Sequence, residues 1–278
     1  MKTVLCLDIG TTSQKAAIVS AEGEVVSFYR SEFENFDEKS ISSLWYESFF
    51  QGVKSLDKKL SECLVISAIS VSGNGPTVVT DSGISVLWNS VNIKDFRLSE
   101  DAKKSLFIPK ILLLKNKYPN DFHKARYIFS GPEYLIYLLG GKPITILPEK
   151  RFMSAYWNEL ICKECDIPFE KMPPFVEIGN ECGIIKSEIA DVFEQLNLSK
   201  LRFEDHCKIF GAGPDFVAAL IGTNTLSEGK FVEHSLYNEN YYGCGIDQVD
   251  DNKIVVLDPN GLHSFGRFEF MCSKIYST

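Results

Sequence analysis

Several things are scarce in this 278-residue chain, and each scarcity closes a door. No apolar run approaches the roughly 20 residues that a bilayer-spanning helix needs. Histidine occurs four times, always isolated, and the eight cysteines offer a single CxxC pair, Cys162 and Cys165. A zinc site needs a second pair, or two histidines at matching spacing, and neither is present. Basic residues are outnumbered: 29 Lys and Arg against 37 Asp and Glu give a net charge of −8, which argues against nucleic acid and against an anionic membrane surface. No repeat of 20 to 50 residues and no low-complexity stretch is visible.

What remains has the balance of a folded globular protein, 45% hydrophobic and 24% charged. The opening run reads as a first strand ending in an acid, not as a signal peptide, which needs a longer apolar region and a small-residue cleavage site. The expectation is therefore a cytoplasmic protein with reduced thiols. Cys6, Cys63 and Cys207, set in apolar stretches, read as small hydrophobes.

Periodicity supplies the elements. Thr3 to Asp8, Lys15 to Ser20 and Glu24 to Arg30 read as three short-linked strands, necessarily antiparallel. Tyr46, Phe49, Phe50, Val53, Leu56, Leu60 and Cys63 fall at helical spacing over Ser43 to Cys63. Val65 to Val71 is a strand, and Thr77 to Thr80 with Ile84 to Trp88 forms a hairpin around Asp81-Ser82-Gly83. Helices are expected over 108–118 and 131–139. A proline-containing stretch over 142–180 reads as an insertion or cap. Lys208 to Phe210 is a short strand, and Phe216 to Ile221 opens a helix. A meander followed by alternating helix and strand gives an α/β fold with a mixed sheet.

Two short constellations carry chemistry. In the first, Asp8 ends a buried strand and Gly10-Thr11-Thr12-Ser13 makes the turn after it. Glycine lets backbone N–H groups converge on an anion, and hydroxyls add donors. The acid would meet a phosphate only through Mg²⁺. A plain hairpin with a capped end is the alternative for the same residues, and the phosphate reading is the favoured one. In the second, Gly211-Ala212-Gly213-Pro214-Asp215 ends a strand and opens a helix. Proline at a first helical position and an acid in the first turn are structurally ordinary. Functionally, the small residues would let a hydroxyl approach Asp215 as a general base.

Taken together, in this order and at this separation, the two stretches resemble the FGGY carbohydrate kinases of the actin-like ATPase superfamily. The intervening landmarks are co-linear: Lys15-Ala16-Ala17, the strand from Ala68 to Asn74, Leu87-Trp88-Asn89, Pro109-Lys110 with Lys115, Glu133 to Gly141, and Met172-Pro173-Pro174. The resemblance spans about residues 1 to 230. It implies a ribonuclease-H-like lobe with a mixed sheet and helices on both faces over 1–225, and the beginning of a second, nucleotide-side lobe over 226–278. It further implies ATP and Mg²⁺ as cofactors, with the metal held by Asp8 through water. Asp215 and Asp8 would be the catalytic pair. Gly10, Thr11, Thr12, Ser13, Lys15, Gly211 and Gly213 would hold the phosphates, and Asn74, Trp88, Asn89 and Asp215 the sugar. The two acids are expected to face one cleft.

The chain also departs from that pattern. Ser90 and Asn92 stand where the family carries an acid and an arginine that contact sugar hydroxyls; each lost charge-assisted hydrogen bond is worth about 1.5–3 kcal/mol. Leu236 stands where a phosphate-cradling glycine is expected, and a β-carbon there blocks close backbone approach. The family's adenine-binding glycine motif has no counterpart, so the chain alone is expected to bind ATP weakly. Two readings stay open: a sugar kinase in which this chain is one part of the active unit, with a separate chain supplying the second lobe or with a homodimer as the assembly, and a non-catalytic kinase-like protein that binds a sugar or a partner protein. Ile254 to Leu257 and Phe265 to Phe270 read as strands whose apolar residues are expected to fold back or to be buried in a dimer.

Overall fold

Alternation decides the first strand. In β1 (Lys2–Ile9) Thr3, Leu5, Leu7 and Ile9 are buried while Val4, Cys6 and Asp8 are only half covered, so one face packs and the other is partly open. β2 (Ser13–Ser20) and β3 (Val25–Glu32) return antiparallel from it, as short turns require. α1 (Ile41–Lys59) then crosses the packed face with Trp45, Phe49, Val53 and Leu56 fully buried at helical spacing. Burying each such side chain stabilises the fold by roughly 1.5–3 kcal/mol. The helix starts two residues before the sequence expectation and ends four before it. Leu60 is already extended, and Cys63, expected inside, is exposed, because the chain leaves the helix to start β4 (Leu64–Gly73).

The structure, a computed structural model, describes residues 2–34, 36–74, 76–90 and 96–222, together with the strands at 231–236, 238–243 and 255–256. It divides into two compact units, Met1–Pro214 and Asp215–Thr278.

After β4 the chain builds a second layer. β5 (Val78–Thr80) and β6 (Ser85–Val86) form the hairpin. Its second arm is shorter than expected: Leu87 and Trp88 have already left the ladder. α2 (Glu100–Lys104), α3 (Ile108–Lys117) and α4 (Pro119–Lys124) follow. Then come β7 (Ile128–Ser130), which pairs with β5, and α5 (Gly131–Leu139). The proline-containing stretch contains β8 (Thr145–Leu147) and β9 (Phe175–Glu177), paired in parallel, with α6 (Glu159–Glu164) between them. β10 (Glu181–Ile184) and α7 (Ser187–Gln195) lead into β11 (Leu201–Pro214). β11 runs 14 residues where three were expected, because a register shift between Phe203 and Lys208 interrupts its alternation and masks the strand pattern.

The main sheet has the order β10-β11-β4-β1-β2-β3, with β11, β4 and β1 mutually parallel. Its packed face shares one hydrophobic cluster with α1, α5 and α7; a second cluster, rich in Phe107, Tyr156 and Trp157, fills the layer around α3 and α6. Phe49 belongs to the first cluster, with Tyr46 and Phe50 half-buried against it, and Trp157 and Tyr134 are buried. Cys162 is buried, its thiol pushed up to about 12 by burial, and no metal-binding group of three or more ligands occurs among the described residues.

Described by itself, the second unit begins with α8 (Asp215–Gly222) and contains an antiparallel hairpin of β12 (Phe231–Leu236) and β13 (Asn238–Gly243). β14 (Val255–Val256) is added in parallel to it. Of the expected strand over Ile254 to Leu257, Val255 and Val256 are described, and both lie in β14. Phe265 to Phe270 lies outside the described residues, as do Tyr237 and Asn92.

Candidate active site

Three parallel strands end together. Asp8 stands beside Ser72 and Ile9 beside Gly73 across β1 and β4; Ser72 stands beside Gly213 and Gly73 beside Pro214 across β4 and β11. The register therefore gathers Asp8–Gly10, Ser72–Asn74 and Gly211–Pro214 at one end of the sheet.

Each of these ends demands glycine for a reason that can be stated in ångströms. A β-carbon on Gly73 (φ 153°) would lie 2.2 Å from the Ile9 carbonyl oxygen, so the parallel strands could not close. Gly213 takes φ 76°. The β-carbon missing from Gly211 leaves space occupied by the Ile146 side chain, 2.1 Å from where that carbon would be. Cross-links complete the assembly: the Asn74 amide donates to the Ile9 carbonyl at 2.9 Å, and the Ser72 hydroxyl donates to the Gly213 carbonyl at 2.9 Å.

The turn after β1 is fixed from below. Gly10 N–H donates to the Ser13 carbonyl at 2.9 Å, and the buried Trp45 indole donates to the Gly10 carbonyl at 2.7 Å. Thr12 is exposed, Thr11 is half-buried and Ser13 is buried. Lys15 lies directly opposite Asp8 across the hairpin, and its ammonium reaches the Asp8 carboxylate at 2.6 Å. Both side chains keep solvent access, 45% for the lysine and 39% for the aspartate. An ion pair this exposed contributes about 1 kcal/mol at most to stability. It leaves a carboxylate and an ammonium at the mouth of a glycine turn.

On the sugar side of the expectation, Asn74 is half-buried and accepts from the Thr77 hydroxyl at 3.2 Å. Pairing of Val78 with Val86 brings the start of β5 beside the end of β6, so Thr77 and Leu87 emerge from the same end of that hairpin. Trp88 follows half-buried; Asn89 and Ser90 are exposed. Asp215 is the first residue of the second unit, at the N-terminus of α8, where its carboxylate accepts the Phe216 amide at 2.8 Å.

Two residues behind the site escaped the reading from sequence. Trp45 lies outside the periodic set that begins at Tyr46 and carries no mark of its own in the sequence, though it holds the Gly10 turn. Glu133 was noted only as a landmark. It is buried, takes a hydrogen bond from the Ser130 hydroxyl, and accepts the Ile146 amide at 2.9 Å. Burial pushes its carboxyl up to about 7, with the Ile146 amide bond pulling the other way. The available signal was the Ser-x-x-Glu spacing of Ser130 and Glu133 at a helix start.

No family model matches the chain. Among curated proteins it is 29% identical to a xylulose kinase of Staphylococcus xylosus over 282 aligned positions, covering 86% of this chain and 57% of that protein. It is 24% identical to a xylulose kinase of Lactococcus lactis over 260, covering 82% and 50%. The chain thus spans about half the length of the curated relatives it matches. Among solved structures, a ligand-bound xylulose kinase from Lactobacillus acidophilus superposes with a TM-score of 0.71 at 18% identity, over 96% of this chain and 59% of that one. A glycerol kinase of Plasmodium falciparum with ADP gives 0.70 at 17%, over 100% and 63%. The fold is the ribonuclease-H-like one of the actin-type carbohydrate kinases.

Proposed function

We propose that this relative of the FGGY carbohydrate kinases carries the sugar-side half of an ATP-dependent sugar kinase, with a ketopentose such as xylulose as acceptor. The observation that carries the reading is the common end of β1, β4 and β11, where the register sets the Asp8 turn and the Gly211–Pro214 run, which leads directly into Asp215, on either side of Gly73. The xylulose kinases among the relatives support the choice of sugar.

In this reading the acceptor hydroxyl donates its proton to the Asp215 carboxylate as its oxygen attacks the γ-phosphorus and ADP leaves in line. An acid in the first turn of a helix stays ionised readily and is suited to be a base at neutral pH. The Gly10–Ser13 turn presents backbone amides and the Thr11 and Thr12 hydroxyls to the transferring phosphoryl, and Lys15 exchanges its bond to Asp8 for one to phosphate. The donor chemistry fits Mg²⁺: one accessible carboxylate beside hydroxyls suits an ion that keeps several of its waters. Asp8 would hold it, and the ion would neutralise phosphate charge. Asn74, Trp88 and Asn89 would orient the sugar, with Ser90 in place of a family acid shifting which hydroxyls are recognised. Gly211 and Gly213 would offer backbone to the phosphates ahead of Asp215, the side that each leaves without a β-carbon being filled by Ile146 and Ile178.

Calorimetric titration with D-xylulose, followed by a phosphoryl-transfer assay with Mg-ATP, tests the reading. Sugar binding is expected, and Asp215→Asn is expected to lower turnover by about 10²–10⁴-fold with sugar affinity nearly unchanged. Absence of binding by any ketopentose, or full turnover in Asp215→Asn, contradicts it.

A further inference from the structure

We propose that Glu133 is a protonation-controlled brace that couples the two sides of the site, the Gly10–Asn74 side and the Gly211–Gly213 side. Its catalytic meaning rests on the function proposed above; its structural content does not.

The carboxyl sits in the first turn of α5; it reaches one side through Ser130 and the next residue in the chain, Gly131, and the other side through Ile146. On one side, α5 begins at Gly131, where an added β-carbon would lie 3.1 Å from the Trp45 ring and 3.3 Å from the Asn74 carbonyl oxygen. The start of the helix is therefore seated against the backbone of Asn74 and against the indole that holds the Gly10 carbonyl at 2.7 Å. On the other side, Glu133 Oε1 accepts the amide of Ile146. The Ile146 side chain occupies the volume that Gly211 leaves open, and it lies 3.6 Å from the β-carbon position of Gly213. The Ile146 carbonyl is fixed in turn by the Tyr156 hydroxyl at 3.0 Å. A single enclosed group thus sets the distance between the start of α5 and β8, and those two elements are what the glycine ends of the site rest against.

The group is also able to change charge. It is enclosed, and among the described residues no lysine or arginine is bonded to it. The titratable groups facing it are Tyr156 and Cys182, both pushed up by burial with the Glu133 charge adding to the effect, so both stay neutral while Glu133 titrates. Protonated, the carboxyl can donate to the Ser130 hydroxyl. Ionised, it accepts from both Ser130 and Ile146, and charge-assisted bonds are shorter and roughly twice as strong as neutral ones. The junction of α5 and β8 therefore has two hydrogen-bonding states, exchanged near neutral pH because burial has carried the carboxyl to about 7.

Backbone amide NMR of the whole chain across pH 5.5 to 8.5 tests this without sugar or nucleotide, so its failure and the failure of the kinase reading are separable. The amides of Gly10 and Asn74, of Ile146, and of Gly211 and Gly213 are expected to shift with one common midpoint near 7. Glu133→Gln keeps an acceptor for Ile146 and a donor for Ser130, and is expected to abolish that shared titration. Ser130→Ala keeps the carboxyl but removes a donor to its ionised form, and is expected to move the midpoint upward. Separate midpoints on the two sides, or a common midpoint that survives unchanged in either variant, overturn the proposal.

Discussion

The two ends of the central sheet solve the same problem in opposite ways. At the end where β4 and β11 begin, the buried Asp57 carboxylate closes the structure from within. It accepts the Ser199, Lys200 and Leu201 amides at 3.0, 2.7 and 2.7 Å and the Ser199 hydroxyl at 3.0 Å. The Lys200 ammonium satisfies the Leu60 carbonyl at the end of α1. At the end where β1, β4 and β11 stop, the strands close with glycines and backbone bonds, and the charged pair Asp8 and Lys15 stays half open to solvent. The first end consumes its charge internally, as a latch. The second leaves its charged pair open to solvent, which is what the proposed function asks of a site.

The comparison can be broken first at its tightest point. Gly73→Ala places a β-carbon 2.2 Å from the Ile9 carbonyl oxygen, in a backbone conformation that suits only glycine. It is expected to cost about 5 kcal/mol or to prevent folding, seen as loss of the cooperative transition in denaturant. Asp57→Ala breaks the latch, leaving three amides and a hydroxyl without their acceptor, and is expected to cost about 3–4 kcal/mol in the same measurement. Burial raises the Asp57 carboxyl, but the amide bonds outweigh it and hold the group below its ordinary value. Its contribution is therefore present above about pH 4 and lost as pH falls through the lower folded value. Asp57→Ala should flatten that acid limb.

Glu133 runs with the opposite sign. Its folded value is raised, so the protonated form is favoured by folding, and stability declines as pH rises from about 4.5 to about 7. Glu133→Gln should remove that decline, gaining on the order of 2–3 kcal/mol over wild type at pH 8 relative to pH 4.5. The smallest expected effect is Lys15→Ala, which should change stability by less than about 1 kcal/mol. If the open end is a site, the same substitution weakens Mg-ATP binding by a larger factor; a variant equally impaired in both would make Lys15 part of another latch.

Much of the site end was legible because its signals are local. An acid followed by Gly-Thr-Thr, and Gly-Ala-Gly-Pro before Asp215, mark strand ends by turn chemistry alone. The helix over 131–139 was legible as well, since Gly131-Pro132 opens it and Gly140 ends it at φ 123°. The latch end was not, because Asp57 finds its partners 142 to 144 residues away and nothing beside it in sequence announces them. The same holds for Glu133 with Ile146, and for Trp45 with Gly10: the chemistry lies in pairings that only the fold creates. β11 was underestimated for a different reason, a register shift that breaks its alternation.

The most direct test of the account is to map amide shifts of the whole chain on titration with the sugar and with Mg-ATP. The account predicts that changes gather at Gly10–Ser13, Asn74 and Gly211–Gly213, while Ser199, Lys200 and Leu201 at the latch stay still. Perturbations centred on the latch end, with the glycine end unmoved, would contradict it.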